Sequence, residues 1–308
     1  MATLYTQQGR NVRRTWFLMA VFLAVALGVG WFVSYYYESP AIFYLAIILA
    51  LGMNFFSYWH ADSVALRLSR AVPLERADQP ELFRLVENLA ITAGLPMPRL
   101  YLVNDPAPNA FATGRDKEHA AVAVTTGLLG MMDKNELQGV LAHELSHIGN
   151  RDILLSTVVV VLVGFIAILA NVFTRSLWWG GGRNRNNNRE GEAGTLIMIV
   201  GLVLVVLSPI IATLIQLAIS RRRESLADAD GALLTRYPEG LASALEKIEH
   251  YEKPMQTANN ATAHLWIANP FGPAGARGLA RLFLTHPPTA ERVAALRGME
   301  GGATGTIE

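Results

Sequence analysis

The sequence contains no cysteine in its 308 residues. This absence excludes disulfide bonds, cysteine metal ligands and thiol catalysis. Charged residues are also scarce, since they make up 17% of the chain, whereas an average soluble domain carries roughly a quarter. The net charge is +1, and no continuous basic stripe with interleaved aromatic residues is present. The sequence therefore does not indicate a nucleic-acid-binding protein.

Hydrophobic residues are abundant instead. They form 52% of the chain, and the mean hydropathy is positive. Four runs are long and apolar enough to cross a bilayer, which takes about 20 residues per helix; they cover residues 16–36, 41–58, 153–173 and 195–219. Buried core helices are the alternative, but such helices rarely lack charge over their full length. The first run is too long for the apolar part of a cleaved signal peptide, so we expect a retained helix.

Arginines predict how these spans are oriented. Arg10, Arg13 and Arg14 precede the first span, and the short link to the second span has no basic residue. The positive-inside rule therefore puts the N-terminus in the cytoplasm, and two spans later the chain is back on that side. The arginines at 221–223 agree with this orientation. The Gly- and Asn-rich segment 175–194 disagrees, because it would lie outside although it holds four arginines.

The spans divide the chain into five predicted parts. They are a transmembrane hairpin (1–60), a first cytoplasmic part (61–152), a second hairpin (153–220), a second cytoplasmic part (221–297) and a disordered tail (298–308). Apolar periodicity in the cytoplasmic parts predicts helices over 80–93, 134–150, 239–251 and 288–297 and strands over 99–103 and 120–125. Asp133 and Glu136 have the spacing of a capping box at the start of the second of these helices.

The motif His143-Glu144-Leu145-Ser146-His147 is the strongest chemical signal. On a helix, positions i and i+4 share a face, so both imidazoles can bind one metal ion. Glu144 is close enough to accept a proton from an attacking water, and a zinc ion would make that water acidic. Two surface histidines on an ordinary helix are the alternative interpretation.

A zinc peptidase needs a third protein ligand and an open position. The residues after His147 do not supply a third histidine, and Glu224 is the best candidate among the later acidic residues. Asp228 lies one helical turn further and could accept a hydrogen bond from a zinc-bound histidine. A solvated helical face beside arginines is the alternative for this pair.

Topology supports a shared site. Two predicted spans separate His147 from Glu224, and an even number returns the chain to the same side of the membrane. Both residues lie a few positions from a predicted span. At about 1.5 Å per helical residue, the site would lie within about 10 Å of the membrane interface.

Two weaker candidates complete the predicted site. The segment 109–114 precedes a predicted strand, and zinc peptidases commonly bind substrate as an added strand, so Asn109, Ala110 and Phe111 are candidate substrate-binding residues. An Asn/Gly turn is the alternative for them. His286 could donate a hydrogen bond to the oxyanion of the tetrahedral intermediate, although it could also simply precede a helix start.

Several motifs together resemble the HtpX-type membrane zinc metalloproteases, a bacterial heat-shock-associated family related to the CAAX prenyl proteases. The resemblance is carried by residues 109–114, 123–129, 143–147, 220–228 and 285–292. It implies an α-helical integral membrane protein with an α+β zinc-peptidase catalytic domain of the HExxH-plus-Glu type. It also implies one Zn²⁺ ion per chain, bound by His143, His147 and Glu224, with Glu144 as general base.

The resemblance further implies a location and substrates. The chain would be a multi-pass protein of the bacterial inner membrane whose cytoplasmic catalytic domain degrades damaged or misassembled membrane proteins. Its partners would be the lipid bilayer and membrane-protein or unfolded polypeptide substrates, with no nucleic acid. A narrow-specificity CAAX-type processing protease and a non-catalytic, zinc-stabilised membrane scaffold are the alternatives. A transporter is disfavoured because the four spans contain almost no ionisable residues.

Overall fold

Residues 4–162, 221–272 and 287–302 are described by a computed structural model of the chain. Several predictions lie outside these residues. They concern most of the third predicted span, the fourth span, the segment 175–194, His286 and the end of the predicted tail.

The described elements alternate between helices and short strands. The helices are α1 (Leu4–Tyr36), α2 (Pro40–Leu68), α3 (Pro80–Ala93), α4 (Thr126–Met131), α5 (Lys134–Gly149), α6 (Asp152–Leu162), α7 (Arg221–Thr235), α8 (Pro238–Glu249) and α9 (Thr289–Gly302), with a 3-10 turn at Ala263–Leu265. The strands are β1 (Val72–Pro73), β2 (Arg99–Val103), β3 (Ala110–Thr113) and β4 (Ala121–Thr125).

The two N-terminal helices are long and apolar enough to cross a membrane, over Gly9–Tyr35 and Pro40–Leu68. They confirm the prediction of two long apolar helices at the N-terminus. Large apolar side chains on both helices are exposed in the isolated chain, among them Trp16, Trp31 and Tyr44, as expected of surfaces that face lipid. Helices α5 and α6 meet at 85° and would count as a third span only if that bent pair were one span.

The strands form one sheet in the order β1-β2-β4-β3. β2 and β4 are parallel, whereas β1 and β3 pair antiparallel with their neighbours. β3 is therefore an edge strand. Its residues are all buried, because side chains alternate between two covered faces of the sheet.

Each face of the sheet belongs to a different core. Ala110, Ala112 and Val122 pack with α3, α5 and α8 on one face. Phe111 and Ala123 pack on the other face with α6, with the apolar side of α1 and with Trp266. Trp266 meets Phe111 edge to face at a centroid distance of 4.6 Å. The sheet thus lies between α5, which carries the histidine motif, and the apolar helix α1.

Local predictions are confirmed where helical or strand periodicity was strong. α3, α5, α8, β2 and β4 lie within one or two residues of the predicted ranges. The pattern of apolar residues did not predict β3 or the two-residue β1, because both strands are too short to show a periodic pattern. The predicted boundary at residue 60 lies inside α2, and α9 continues to Gly302, into the range predicted to be a disordered tail.

Candidate metal centre

Helix α5 is fixed at its start by the predicted capping box. The Asp133 side chain accepts hydrogen bonds from the backbone N–H groups of Asn135 and Glu136, and Glu136 accepts one from Asp133 N at 2.8 Å. Glu136 also accepts hydrogen bonds from Ser243 at 2.7 Å and from Lys247 at 2.6 Å. These contacts anchor α5 to α8 and define where the histidine motif lies, two turns further along.

Three predicted metal ligands converge on one point. His143 and His147 lie on one face of α5, and their Nε2 atoms are 3.2 Å apart. Glu224 of α7 places Oε2 3.7 Å from His143 Nε2 and Oε1 3.6 Å from His147 Nε2. One donor atom from each residue lies within 4.8 Å of the others. Among the described residues, this is the group of His, Asp and Glu side chains that could hold a metal ion.

A carboxylate orients each imidazole from behind. Asp228 Oδ1 lies 2.9 Å from His143 Nδ1, and Asp152 Oδ2 lies 3.1 Å from His147 Nδ1. These contacts favour a proton on each Nδ1 atom, which leaves both Nε2 lone pairs directed at the shared point. Such carboxylate–histidine pairs are the usual surroundings of metal-binding histidines.

The donor set fits a metal ion. Two bare Nε2 lone pairs 3.2 Å apart repel each other unless positive charge lies between them. A proton could bridge the two rings, but the Glu224 oxygens at 3.6 and 3.7 Å are too far away to hydrogen bond to it. A metal ion can bind all three groups, and two ligands about 2.05 Å from a tetrahedral zinc would be about 3.3 Å apart.

The surroundings of the two histidines shift their pKa values in opposite directions. Burial lowers the pKa of His143 to about 4, against the opposing effect of Asp228, so this imidazole is neutral at pH 7 as a ligand must be. Burial also acts to lower the pKa of His147, but the hydrogen bond to Asp152 and the charge of Glu224 outweigh it and raise the pKa to about 9. The surroundings of His147 thus favour positive charge beside its ring.

The ligands open onto a cavity of about 30 Å³, which can hold one or two waters. Glu144, Ala112 and Ile267 line it together with the ligands. Glu144 is 2% exposed. The arrangement has three protein donors, a carboxylate beside them and an open side, which is typical of catalytic zinc sites.

Arg292 of α9 completes the support behind His143. It donates two hydrogen bonds to Asp228, from Nε at 2.8 Å and from Nη2 at 2.7 Å, and both side chains are buried. Burial would raise the pKa of Asp228, but the hydrogen bonds from Arg292 and His143 hold it well below its usual value. Asp228 therefore stays ionised and can hold the His143 ring in one orientation.

A glycine lets α7 approach α5 closely enough to deliver Glu224. A Cβ atom at Gly231 would lie 3.0 Å from the His143 backbone nitrogen and 3.3 Å from its Cα atom. We expect Gly231→Ala to push the two helices apart, to destabilise the fold by about 1–3 kcal/mol and to weaken metal binding. Thermal unfolding and metal titration of the purified protein measure both effects.

Gly130→Ala is the matched control, because a Cβ atom there would meet nothing within 4 Å. It should leave stability equal or slightly higher, since alanine favours a helix over glycine. Equal thermal stability and equal metal affinity in the two variants would contradict the role of Gly231 in the close approach of α7 to α5.

The predicted substrate-binding residues have partners within the chain. The Asn109 side chain donates to Ala268 O at 3.0 Å and accepts from Ala268 N at 3.2 Å, and it is 2% exposed. Ala110 O accepts a hydrogen bond from Ile267 N at 2.9 Å, and Phe111 is fully buried. The chain's own segment thus occupies the start of β3, and a substrate could reach the Asn109 amide only by displacing Ala268.

Three residues of the site were not predicted from the sequence. Asp152 orients His147, Arg292 holds Asp228, and His264 lines the cavity with Nε2 2.9 Å from Ser156 O. Arg292 could have been singled out, because it ends the motif 285–292 that carries the family resemblance. Asp152 and His264 have no spacing relative to the motif that would distinguish them from other polar residues.

Comparisons with known proteins identify the family. The model of peptidase family M48 matches residues 76–300, more than half of the chain. A protein named protease HtpX homolog from Caldanaerobacter subterraneus subsp. tengcongensis is 47% identical over 96% of this chain and 98% of its own length. One of the same name from Tropheryma whipplei is 45% identical over 96% and 98%.

Among solved structures, the crystal structure of S. mikatae Ste24p aligns with 91% of this chain and 62% of that chain, at 19% identity and a TM-score of 0.49. The family is identified by the sequence matches, which extend over nearly the full length of the chain at well above 30% identity. The chain belongs to peptidase family M48 and, within it, to the HtpX-type membrane proteases.

Proposed function

We propose that the protein is a zinc-dependent endopeptidase that cleaves membrane-protein or unfolded polypeptide chains close to the membrane surface. The observation that carries this proposal is the convergence of His143, His147 and Glu224 beside Glu144 at an open cavity. A structural zinc site usually closes its fourth position with protein and has no need of a carboxylate beside the ligands.

Each residue of the site would have a separate role in peptide hydrolysis. His143, His147 and Glu224 would hold the zinc ion, which when bound acidifies an attacking water and polarises the scissile carbonyl. Glu144 would accept the proton of that water at its carboxylate and pass it to the departing amine. Asp228 and Asp152 would keep the imidazoles oriented throughout the cycle. His286 remains a proposed donor to the oxyanion.

The edge of β3 suggests where the substrate lies. In an antiparallel strand, residues two apart direct their backbone groups to the same side. Since Ala110 O faces outward to Ile267 N, the backbone groups of Ala112 face outward too, and Ala112 lines the metal cavity. We infer that a substrate adds as an extended strand at Ala112, beyond the stretch that the chain itself occupies, while Asn109, Ala110 and Phe111 shape the start of that edge.

The role of the enzyme would be the removal of damaged or misfolded membrane proteins. In support, the sheet and α6 pack directly on α1, because Leu18, Met19 and Phe22 belong to the same core as Phe111 and the residues of α6. A site joined in this way to a membrane helix is suited to segments that emerge from the bilayer.

Removal and return of the metal test the proposed activity. Purified protein in detergent should cleave an unfolded membrane protein, lose that activity with a chelator and regain it with added Zn²⁺. Cleavage that resists complete removal of metal would contradict the proposal. The fragment pattern distinguishes the alternatives, because broad cleavage of unrelated chains supports quality control, whereas one narrow site supports a CAAX-type processing protease. Binding of zinc and substrate without cleavage would favour a membrane scaffold.

The catalytic domain is proposed to face the cytoplasm from a bacterial inner membrane. The arginines before the first span and at 221–223 support this orientation. A reporter fused after Arg115 or after Glu239 should therefore be cytoplasmic, and one fused after Arg185 should be external. An external reading after Arg115 would contradict the orientation but not the metal site, which needs only that His147 and Glu224 lie on one side.

A further inference from the structure

One contact to the metal centre comes from outside the segment that the family model matches. Asn11 lies near the start of α1, well before residue 76, where the match begins. Its side-chain amide donates one hydrogen bond to Asp152 Oδ1 at 2.6 Å and another to Asn150 O at 3.1 Å. Asn11 is 2% exposed, so these contacts are shielded from water. Both N–H bonds of the amide are used.

The two acceptors lie on either side of a sharp bend. Asn150 caps the end of α5, Asp152 begins α6, and the axes of the helices differ by 85°. Between them Arg151 adopts a φ of 57°, a left-handed conformation that is unfavourable for a residue with a side chain. The Asn11 amide therefore bridges the two sides of a backbone turn that includes one residue in an unfavourable conformation.

This bend determines where the Asp152 carboxylate points. Asp152 Oδ2 lies 3.1 Å from His147 Nδ1, while Oδ1 faces the Asn11 amide and, at 3.6 Å, Arg223 Nε. The closest donor on Oδ1 is Asn11. Without it, Oδ1 would be left with the longer Arg223 contact, and the carboxylate could rotate away from His147. A buried carboxylate held at both oxygens is the arrangement that keeps an imidazole in one orientation.

We propose that Asn11 is a positioning residue of the metal centre: through Asp152 it orients His147, and the first membrane helix is thereby a structural part of the site. The inference rests on the proposed metal function of His143, His147 and Glu224. It predicts that losing a side-chain amide in α1 weakens metal binding, although Asn11 contacts none of these ligands in the described structure.

The test is the zinc affinity of full-length protein in detergent, measured by competition with a chromophoric chelator. Asn11→Leu keeps the volume and removes both donors, and we expect it to weaken Zn²⁺ binding about 10-fold, at the lower end of the effect of direct carboxylate partners. Thr15→Val is the matched control. Thr15 is as buried, lies one turn further along α1, and its hydroxyl donates only within the helix, to Asn11 O at 3.0 Å. It should bind zinc within about twofold of wild type.

A double-mutant comparison separates positioning from packing. In an Asp152→Ala background, Asn11→Leu should change zinc affinity by less than about threefold, because residues that act through one another are not additive. Persistence of the full 10-fold loss there, or an equal loss in Thr15→Val, would show that Asn11 acts by helix packing and would overturn the proposal.

An exchange of partners covers the case in which Asn11→Leu does not fold. In the double variant Asn11→Asp with Asp152→Asn, the new amide at 152 can donate to residue 11 while its oxygen still faces His147. It should bind zinc more tightly than Asn11→Asp alone, in which two carboxylates would face each other, and no such rescue would overturn the proposal. Wild-type protein that bound no zinc would refute the proposed metal function itself, whereas wild-type affinity in Asn11→Leu would refute this inference alone.

Discussion

Glu144→Gln should abolish most proteolysis while leaving the metal in place. Glutamine keeps the size of the side chain and its helix propensity, but it cannot accept the proton of the attacking water. General-base catalysis contributes about 10²–10⁴-fold, so turnover should fall by roughly 100-fold or more. Glu144 lines the cavity but is not one of the three candidate ligands, so the variant should still bind metal and substrate and could trap the substrate. Initial rates at saturating substrate and the metal content per chain are the two measurements.

Glu144→Asp is the companion variant. It retains a carboxylate but withdraws it by one methylene, so activity should lie between that of wild type and that of Glu144→Gln. Full activity of Glu144→Gln, in a preparation free of other proteases, would show that another group is the base. Loss of metal together with activity would show instead that Glu144 supports the ligands rather than the chemistry.

Substitution of any single ligand should remove the metal. His143→Ala, His147→Ala and Glu224→Ala each delete one of three converging donors. Structural zinc sites bind with about 10–16 kcal/mol in total, so one ligand corresponds to a loss of roughly 10²–10⁴-fold in affinity. Zinc content after dialysis against a weak chelator, followed by activity, measures the effect. Glu224→Ala is the most informative variant, because Glu224 comes from a different helix.

Two controls define the specificity of that result. Asp228→Ala should lower zinc affinity less, by about 10- to 100-fold, since Asp228 only orients His143. His119→Ala should have no effect, because His119 pairs with Asp116 at 2.6 Å on an exposed surface and belongs to no metal group among the described residues. Wild-type zinc affinity in Glu224→Ala would exclude Glu224 as the third ligand.

The sequence predicted well whatever depends on local spacing. The positions of His143 and His147 on one helical face follow from 3.6 residues per turn, and the start of α5 follows from the Asp133–Glu136 capping box. Length and apolar composition were enough to identify the two long apolar helices at the N-terminus. Glu224 and Asp228 could also be placed together from their spacing, because both lie on α7.

The tertiary structure decided the contacts between residues distant in the chain. Asp228 accepts a hydrogen bond from Arg292, which is 64 positions away in the sequence, and Asp152 accepts one from Asn11, which is 141 positions away. No periodicity links such residues, since their contact depends on how whole helices pack. For the same reason, the hydrogen bonds between the Asn109 side chain and Ala268 could not be predicted from the sequence.

The sequence by itself therefore predicted the proposed chemistry of this protein, namely the candidate ligands, the candidate base and the long apolar helices, because each is encoded within a few turns of chain. Only the tertiary structure decided how that chemistry is held. Arg292 reaches the carboxylate behind His143 because α9 packs near α5 and α7. The Asn11 amide reaches Asp152 and the bend between α5 and α6 because α1 packs beside them. Packing between distant helices sets those positions, and a linear pattern does not record it.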